Sequence, residues 1–256
     1  MVEKIRRKAI GWSTKMLSPA GKLVMLKSVL SAMPSHTMSC FKLPMSVVKR
    51  IQSVLTQFWW DSKPEEMRMA WISWDTLTKT KGDGRLGIRD IECFNDAMLG
   101  KLSWRLLTKP QSLLARILNG KYYADNSFLE VQAASGCPHG WRGILLGRDL
   151  LVEHLGWAIG DGATVRLWDD AWLSTERIQR PMGPATLESK DNLVASLFLE
   201  GSNEWDAGKV SRLLPEMETV ILSIKTSRQG GPDRRIWLRS PSGEYSAKTG
   251  YVAALE

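Results

Sequence analysis

Trp168-Asp169-Asp170 is the first place where residue types suggest chemistry. Paired carboxylates at a hairpin tip, joined by a third from another strand, can hold two metal ions for phosphoryl transfer. That arrangement requires an aromatic, a small residue and then two Asp. Here Trp168 directly precedes Asp169 and no partner strand is evident, so a solvated acidic turn is expected. Gly82-Asp83-Gly84-Arg85-Leu86-Gly87 fits a Gly-x-Gly-x-x-Gly pattern. A dinucleotide site also needs a strand before it, a helix opening at it and an acid about twenty residues later. Residues 76–81 make a poor strand, and Leu106, Leu107 and Thr108 stand where the acid should be. A flexible turn is expected instead. His36 and Cys40 lie at i, i+4, and Cys137-Pro138-His139 adds a second pair. Zinc sites draw four ligands at tighter spacings. Cys40 is therefore expected to be a buried apolar residue, and no metal ligand is assigned. Three His with no Gly-x-Ser-x-Gly motif make no nucleophilic triad. No catalytic residue is assigned.

The basic residues carry more. Residues 1–50 hold ten Lys/Arg against a single acid, Glu3, while the other 206 residues hold 25 basic and 26 acidic side chains. The whole net charge of +8 thus sits on the first 50 residues. Such asymmetry points to a module facing a polyanion. Arg6, Arg7, Lys8, Lys15, Lys22, Lys27, Lys49 and Arg50, with Lys42 in the same segment, are the candidate phosphate contacts. Each neutralised phosphate adds a salt-dependent increment to affinity. The plain alternative is a solvated basic surface. Twelve tryptophans against four tyrosines and five phenylalanines are the other anomaly. Tryptophans can stack on bases, but at helical or strand spacing they are more often core. Trp12, Trp59, Trp104 and Trp168 are expected in the core.

Three helices must position the basic residues. Ile5, Ala9, Trp12 and Met16 recur at i, i+4, i+7 and i+11, one apolar stripe. Ser18-Pro19 is a helix start, with a hydroxyl at the cap and Pro in the first turn. Leu26, Val29, Leu30 and Met33 form the next stripe, and Pro34 ends it. Pro44 opens a third helix with Val47, Ile51, Val54, Leu55 and Phe58 on one face and Lys49 and Arg50 off it. Further on, Trp71, Ile72 and Trp74 suggest a short extended segment or a helix start, and residues 86–91 a strand. Residues 94–107, 113–123 and 141–155 have helical spacing, the first stopped by Pro110. Gly160-Asp161-Gly162 between residues 157–159 and 165–168 is a hairpin signal. Residues 237–247 around Ser240-Pro241-Ser242-Gly243 read as a second hairpin. Residues 181–184 look like a linker, 193–199 and 210–214 like short helices, 229–233 like a turn, and Thr249 begins a last helix. The fold class is α+β, mainly helical. A basic three-helix module over 1–60 is followed by a Trp-rich connector with short β-hairpins over 61–180, and then by 181–256.

The composition, 43% apolar and 24% charged, is that of a globular chain. The longest uncharged stretch, residues 28–41, contains Pro34, His36 and several hydroxyls, so no membrane span is expected. The charged N-terminus shows no secretory signal. Three widely spaced cysteines imply a reducing compartment, hence an intracellular protein of the nucleus or cytoplasm.

Several strings carry a resemblance. They are Gly21-Lys22-Leu23, Leu26-Lys27-Ser28-Val29-Leu30-Ser31, Met38-Ser39-Cys40-Phe41-Lys42-Leu43-Pro44, Phe58-Trp59-Trp60 and Trp71-Ile72-Ser73-Trp74. They continue through Leu86-Gly87-Ile88-Arg89-Asp90-Ile91, Phe94-Asn95-Asp96-Ala97-Met98-Leu99 and Trp104-Arg105-Leu106-Leu107. Later come Ile159-Gly160-Asp161-Gly162, Leu167-Trp168-Asp169-Asp170, Trp172-Leu173 and Gly243-Glu244-Tyr245-Ser246-Ala247-Lys248-Thr249-Gly250-Tyr251. In this order the set resembles the region after the polymerase palm in plant non-LTR (LINE-type) retrotransposon reverse transcriptases. Arg85 departs from the family's second glycine.

The resemblance implies a thumb-like module at 1–60, a connector, and the start of a zinc-binding domain at the end of the chain. It implies a fragment of an RNA-directed DNA polymerase that lacks the palm and ribonuclease H. Such a fragment would have no activity or cofactor of its own, although the full-length family would use magnesium and zinc. Its expected partner is the backbone of an RNA–DNA or DNA duplex, bound weakly and with little sequence preference. The alternative is an inert remnant or scaffold. No membrane partner is expected.

Overall fold

The computed structural model describes residues 1–13, 17–61, 69–79, 82, 85–183, 189–227 and 230–256. Lys15 and Met16, the Asp83-Gly84 part of the glycine pattern, Pro184 of the expected linker and Gln229 of the expected turn lie outside them. The fold is α+β and mainly helical, with a two-stranded antiparallel sheet. The chain divides into two compact units, residues 1–150 with 250–256, and residues 151–249.

The first unit is helical. Helix α1 (Val2–Ser13) buries Val2, Ile5 and Ala9. Helix α2 (Pro19–Met25) starts where Ser18 accepts the Gly21 amide, a cap worth about 1 kcal/mol. A π-helical turn, Leu26–Leu30, continues it and buries both end residues. Its wider ring closes because the Ser31 amide reaches the Leu26 carbonyl at 3.0 Å and the Ser31 hydroxyl donates to the same oxygen at 2.8 Å. Helix α3 (Ser35–Met38) is one turn that places Met38 inside. Helix α4 (Met45–Trp60) begins after Pro44 and buries Val48, Ile51, Val54, Leu55 and Phe58. Val48, not Val47, thus heads the stripe. Trp12 meets Phe58 with ring centroids 6.5 Å apart, where α1 packs on α4.

Cys40 departs from expectation, because it is exposed. The chain leaves α3 through a turn in which the Cys40 and Phe41 amides both return to the Thr37 carbonyl. Met38 has already taken the inward position there.

Helix α5 (Trp74–Thr78) is capped by Ser73. The strand expected at 86–91 is absent. Gly87, at φ 57°, donates to the Lys79 carbonyl, and Ile88 donates to that of Leu77. These bonds tie the segment to the end of α5 instead of to a strand. Asp90 then caps helix α6 (Ile91–Thr108) by accepting the Cys93 amide. Helices α7 (Leu113–Tyr122) and α8 (His139–Val152) follow. Trp141 stacks on Tyr122 at 4.6 Å and on Tyr123 at 5.7 Å in a core with Leu106, Phe128, Ile144 and Leu145. Gly147 permits a close approach of α8 to α6, since a Cβ there would lie 2.4 Å from the Leu99 carbonyl carbon. Ser103 ties the same crossing by donating to the Ile144 carbonyl at 2.7 Å. In the last segment of this unit the Tyr251 hydroxyl accepts the Asp90 amide at 2.8 Å, and its ring lies edge-on to Phe94.

The second unit contains strand β1 (Leu155–Ala158), helices α9 (Ala207–Leu213) and α10 (Glu218–Ser223) and strand β2 (Arg234–Trp237), and the start of helix α11 (Ala247–Ala254) belongs to it. β1 pairs antiparallel with β2, Leu155 opposite Trp237 and Ala158 opposite Arg234. Neither expected hairpin forms. The Gly160-Asp161-Gly162 amides do not close a tight turn, because the Asp233 carboxylate takes them. Its oxygens accept from the Gly160 amide at 2.7 Å, the Gly162 amide at 2.9 Å, and the Thr164 amide and hydroxyl at 3.0 Å each. The chain then bridges Arg166 to Leu193. At the second site the Ser240–Gly243 turn forms, but β2 is already paired with β1. The chain beyond it is drawn into a helix, with Ser246 accepting the Thr249 amide. The core of this unit gathers Val165, Leu167, Trp172, Val194, Leu197, Phe198, Val210 and Ile221. Trp104 is buried, while Trp12, Trp59 and Trp168 are partly buried against the two cores.

Candidate nucleic-acid interface

Helices α1 and α4 turn their apolar stripes to a shared core, so whatever lies off those stripes faces solvent. On α1 that leaves Lys4, Arg6, Arg7 and Lys8 exposed. On α4 it leaves Lys49 and Arg50 exposed. Arg6 approaches Glu3 at only 3.8 Å, with both side chains about half exposed or more, so its charge stays largely available. Lys8 lies 5.2 Å over the Trp12 ring. Lys4 was not singled out by sequence, although its i, i+4 spacing to Lys8 was visible.

The other candidates are placed differently. Lys22 reaches across to the end of α4 and donates to the Trp59 and Asp61 carbonyls. A cation there complements the helix C-terminus and fastens α2 to α4. Lys27 is half-buried on the π-helical turn. Lys15 lies outside the described residues. Lys42 is bound to Asp96 at 2.6 Å and approaches Glu92 at 3.6 Å. Burial holds the Asp96 carboxyl above its ordinary range in spite of Lys42, which pulls it down. The structure thus brings Arg6, Arg7, Lys8, Lys49 and Arg50 onto adjacent helices and assigns Lys22 and Lys42 to internal contacts.

The acidic pair is not an open site. Asp169 approaches Arg166 at 3.8 Å. Asp170 is only 18% exposed, accepts the Arg166 amide at 2.8 Å and pairs with Arg235 at 3.6 Å. It is therefore an ion-paired residue and not the solvated one expected. The Arg235 guanidinium also lies 3.9 Å over the Trp157 ring, and burial lowers its pKa. His139 stacks on Phe41 and bonds the Lys42 carbonyl at 2.7 Å. The Cys93 thiol is pushed up to about 12, chiefly by burial and then by Asp90. Among the described residues no three His, Cys, Asp or Glu side chains converge, so they offer no site fitted to the magnesium or zinc of the longer family. Among them, too, no helix is long and apolar enough to cross a membrane.

An α+β, mainly helical chain with one basic helical face is thus the frame in which relatives can be compared. The chain belongs to the family of the Arabidopsis thaliana protein named "Uncharacterized mitochondrial protein AtMg00310". It is 38% identical to that protein over 152 residues, which cover 59% of this chain and 99% of the relative. It is also similar to the Arabidopsis thaliana protein named "Putative ribonuclease H protein At1g65750", with 32% identity over 269 aligned positions. That alignment covers 98% of this chain and 41% of the relative, so the chain spans about two fifths of the longer protein. No family model matches the chain, and no solved structure matches it.

Proposed function

We propose that this chain is the part of a non-LTR retrotransposon reverse transcriptase that follows the palm, and that it holds the backbone of an RNA–DNA or DNA duplex without reading sequence. The carrying observation is the pair of packed helices α1 and α4 with Arg6, Arg7, Lys8, Lys49 and Arg50 on their solvent faces. Arginine and lysine on helix surfaces contact phosphates, which position a duplex but carry no base information. The name of the longer relative, a ribonuclease H protein, denotes an enzyme class that acts on RNA paired with DNA, and this supports a hybrid duplex as ligand. In this reading residues 1–60 serve as a thumb-like module, and the chain contributes binding, not bond breaking.

The test uses two labelled RNA–DNA hybrids of unrelated sequence, with the wild type and Arg7→Gln/Lys8→Gln/Lys49→Gln/Arg50→Gln. The expected result is similar affinity for both hybrids and a loss of tenfold or more for both in the variant. A variant that binds as well as the wild type would contradict the reading, as would a strong preference for one sequence.

A further inference from the structure

Strand alternation in β2 separates its two arginines. Arg235 turns to Trp157 and Asp170, while Arg234 and Ile236 share the opposite face. That face forms one wall of a cleft of about 700 Å³. The Ser240–Gly243 turn forms another wall, with Arg239 just before it. The turn is firmly set: the Gly243 amide donates to the Ser240 carbonyl at 2.9 Å, the Trp237 amide donates to the Gly243 carbonyl at 2.7 Å, and Gly243 sits at φ 71°. The Ser240 and Ser242 hydroxyls lie 2.9 Å apart within it. Arg239 donates through Nε to His154 Nδ1 at 3.4 Å, which orients the guanidinium beside the turn. Ile236 and Leu238 supply an apolar floor.

We propose that this cleft binds a phosphodiester of single-stranded nucleic acid. Two guanidinium groups match the oxygens of a phosphate as paired donors. The serine hydroxyls add neutral donors, and the apolar floor suits the sugar and base that flank a phosphodiester. Glu176 on the rim opposes the two arginines. The lining therefore carries a single excess positive charge, which suits one phosphodiester and not the dense charge of a duplex. The site lies in the second unit and does not depend on the duplex reading of α1 and α4.

The probe is fluorescently labelled pentauridylate, titrated against the full chain at low salt, with unlabelled inorganic phosphate as competitor. Arg234→Gln/Arg239→Gln should weaken binding tenfold or more and lower the log–log salt slope by about 0.7, the value for one phosphate on a single strand. Glu176→Gln should tighten binding several-fold, a gain that misfolding does not produce. Arg7→Gln/Lys8→Gln should leave pentauridylate binding unchanged. Equal affinity in the wild type and the Arg234/Arg239 variant would overturn the proposal, and so would weaker binding by Glu176→Gln. Displacement by inorganic phosphate as effective as displacement by unlabelled pentauridylate would also overturn it, because the site would then take a free phosphate.

Discussion

Asn95, fully buried near the start of α6, accepts the Leu43 amide at 2.7 Å. Its side-chain nitrogen donates to the Met38 carbonyl at 2.9 Å and the Phe41 carbonyl at 3.0 Å. One amide side chain thus satisfies three backbone groups of a loop about fifty residues earlier, and the neighbouring Asp96 holds Lys42 in the same loop. The loop joins α3 to α4, so Asn95 fixes how the basic module enters its longest helix. Removing Asn95 leaves buried backbone groups unpaired, at about 1–3 kcal/mol each. Asn95→Ala should lower unfolding stability by about 3 kcal/mol or more, read as a lower denaturant midpoint at unchanged slope. A loss below about 1 kcal/mol would refute the role given to this side chain.

Two glycines should respond in opposite directions to the same change. Gly147→Ala places a methyl against the Leu99 and Gly100 backbone, which has no side-chain freedom to yield. Overpacking of this kind costs about 1–3 kcal/mol, more than the gain of about 1 kcal/mol in helix propensity. Gly120, in α7, has nothing within 4 Å of its would-be Cβ. Gly120→Ala should therefore stabilise by about 0.5–1 kcal/mol. Thermal unfolding of the two variants checks both signs.

Asp233 replaces local turn chemistry with a long-range anchor. Asp233→Ala removes four hydrogen bonds to residues 160–164 and should expose their amides to hydrogen exchange first. Protection of those amides equal to wild type would contradict the anchor.

Cysteine reactivity should follow exposure and thiolate character. Cys40 is exposed, whereas Cys93 is held as a thiol with its pKa pushed up to about 12. At pH 8, iodoacetamide should label Cys40 well before Cys93, and unfolding should abolish the difference. Peptide mapping after timed alkylation reads the order.

Asp96 should leave a signature in the pH dependence of stability. Its folded pKa is raised, so the folded state retains a proton that the unfolded state has released. Its contribution to stability is therefore full at low pH and declines as pH rises from about 4, the ordinary Asp value, through the raised folded value. Asp96→Asn should remove that decline, whereas a variant with the wild-type slope would place the titration elsewhere.

Much of the helical frame was legible because its signals are local. Ser18-Pro19, Pro44 and Pro110 mark ends, and the α1, α4 and α6 stripes repeat at helical spacing. The misreadings share a physical cause, since each depended on a partner far along the chain. The Gly160-Asp161-Gly162 string looked like a turn until Asp233 occupied its amides. Residues 86–91 looked like a strand but are tied to Leu77 and Lys79. Cys40 looked apolar and buried, yet Met38 had taken the inward position. At the candidate interface, charge counting found the right segment but did not separate Lys22 and Lys42, which make internal contacts, from Arg7, Lys8, Lys49 and Arg50, which face solvent.

The most direct test of duplex binding through α1 and α4 is the salt dependence of RNA–DNA hybrid affinity. Log affinity should fall linearly with log salt for the wild type. Arg7→Gln, Lys8→Gln, Lys49→Gln and Arg50→Gln, taken singly, should each lower the slope by up to about 0.9, one phosphate contact apiece. A slope that no single substitution changes, with affinity retained, would contradict a phosphate-tracking role for this face.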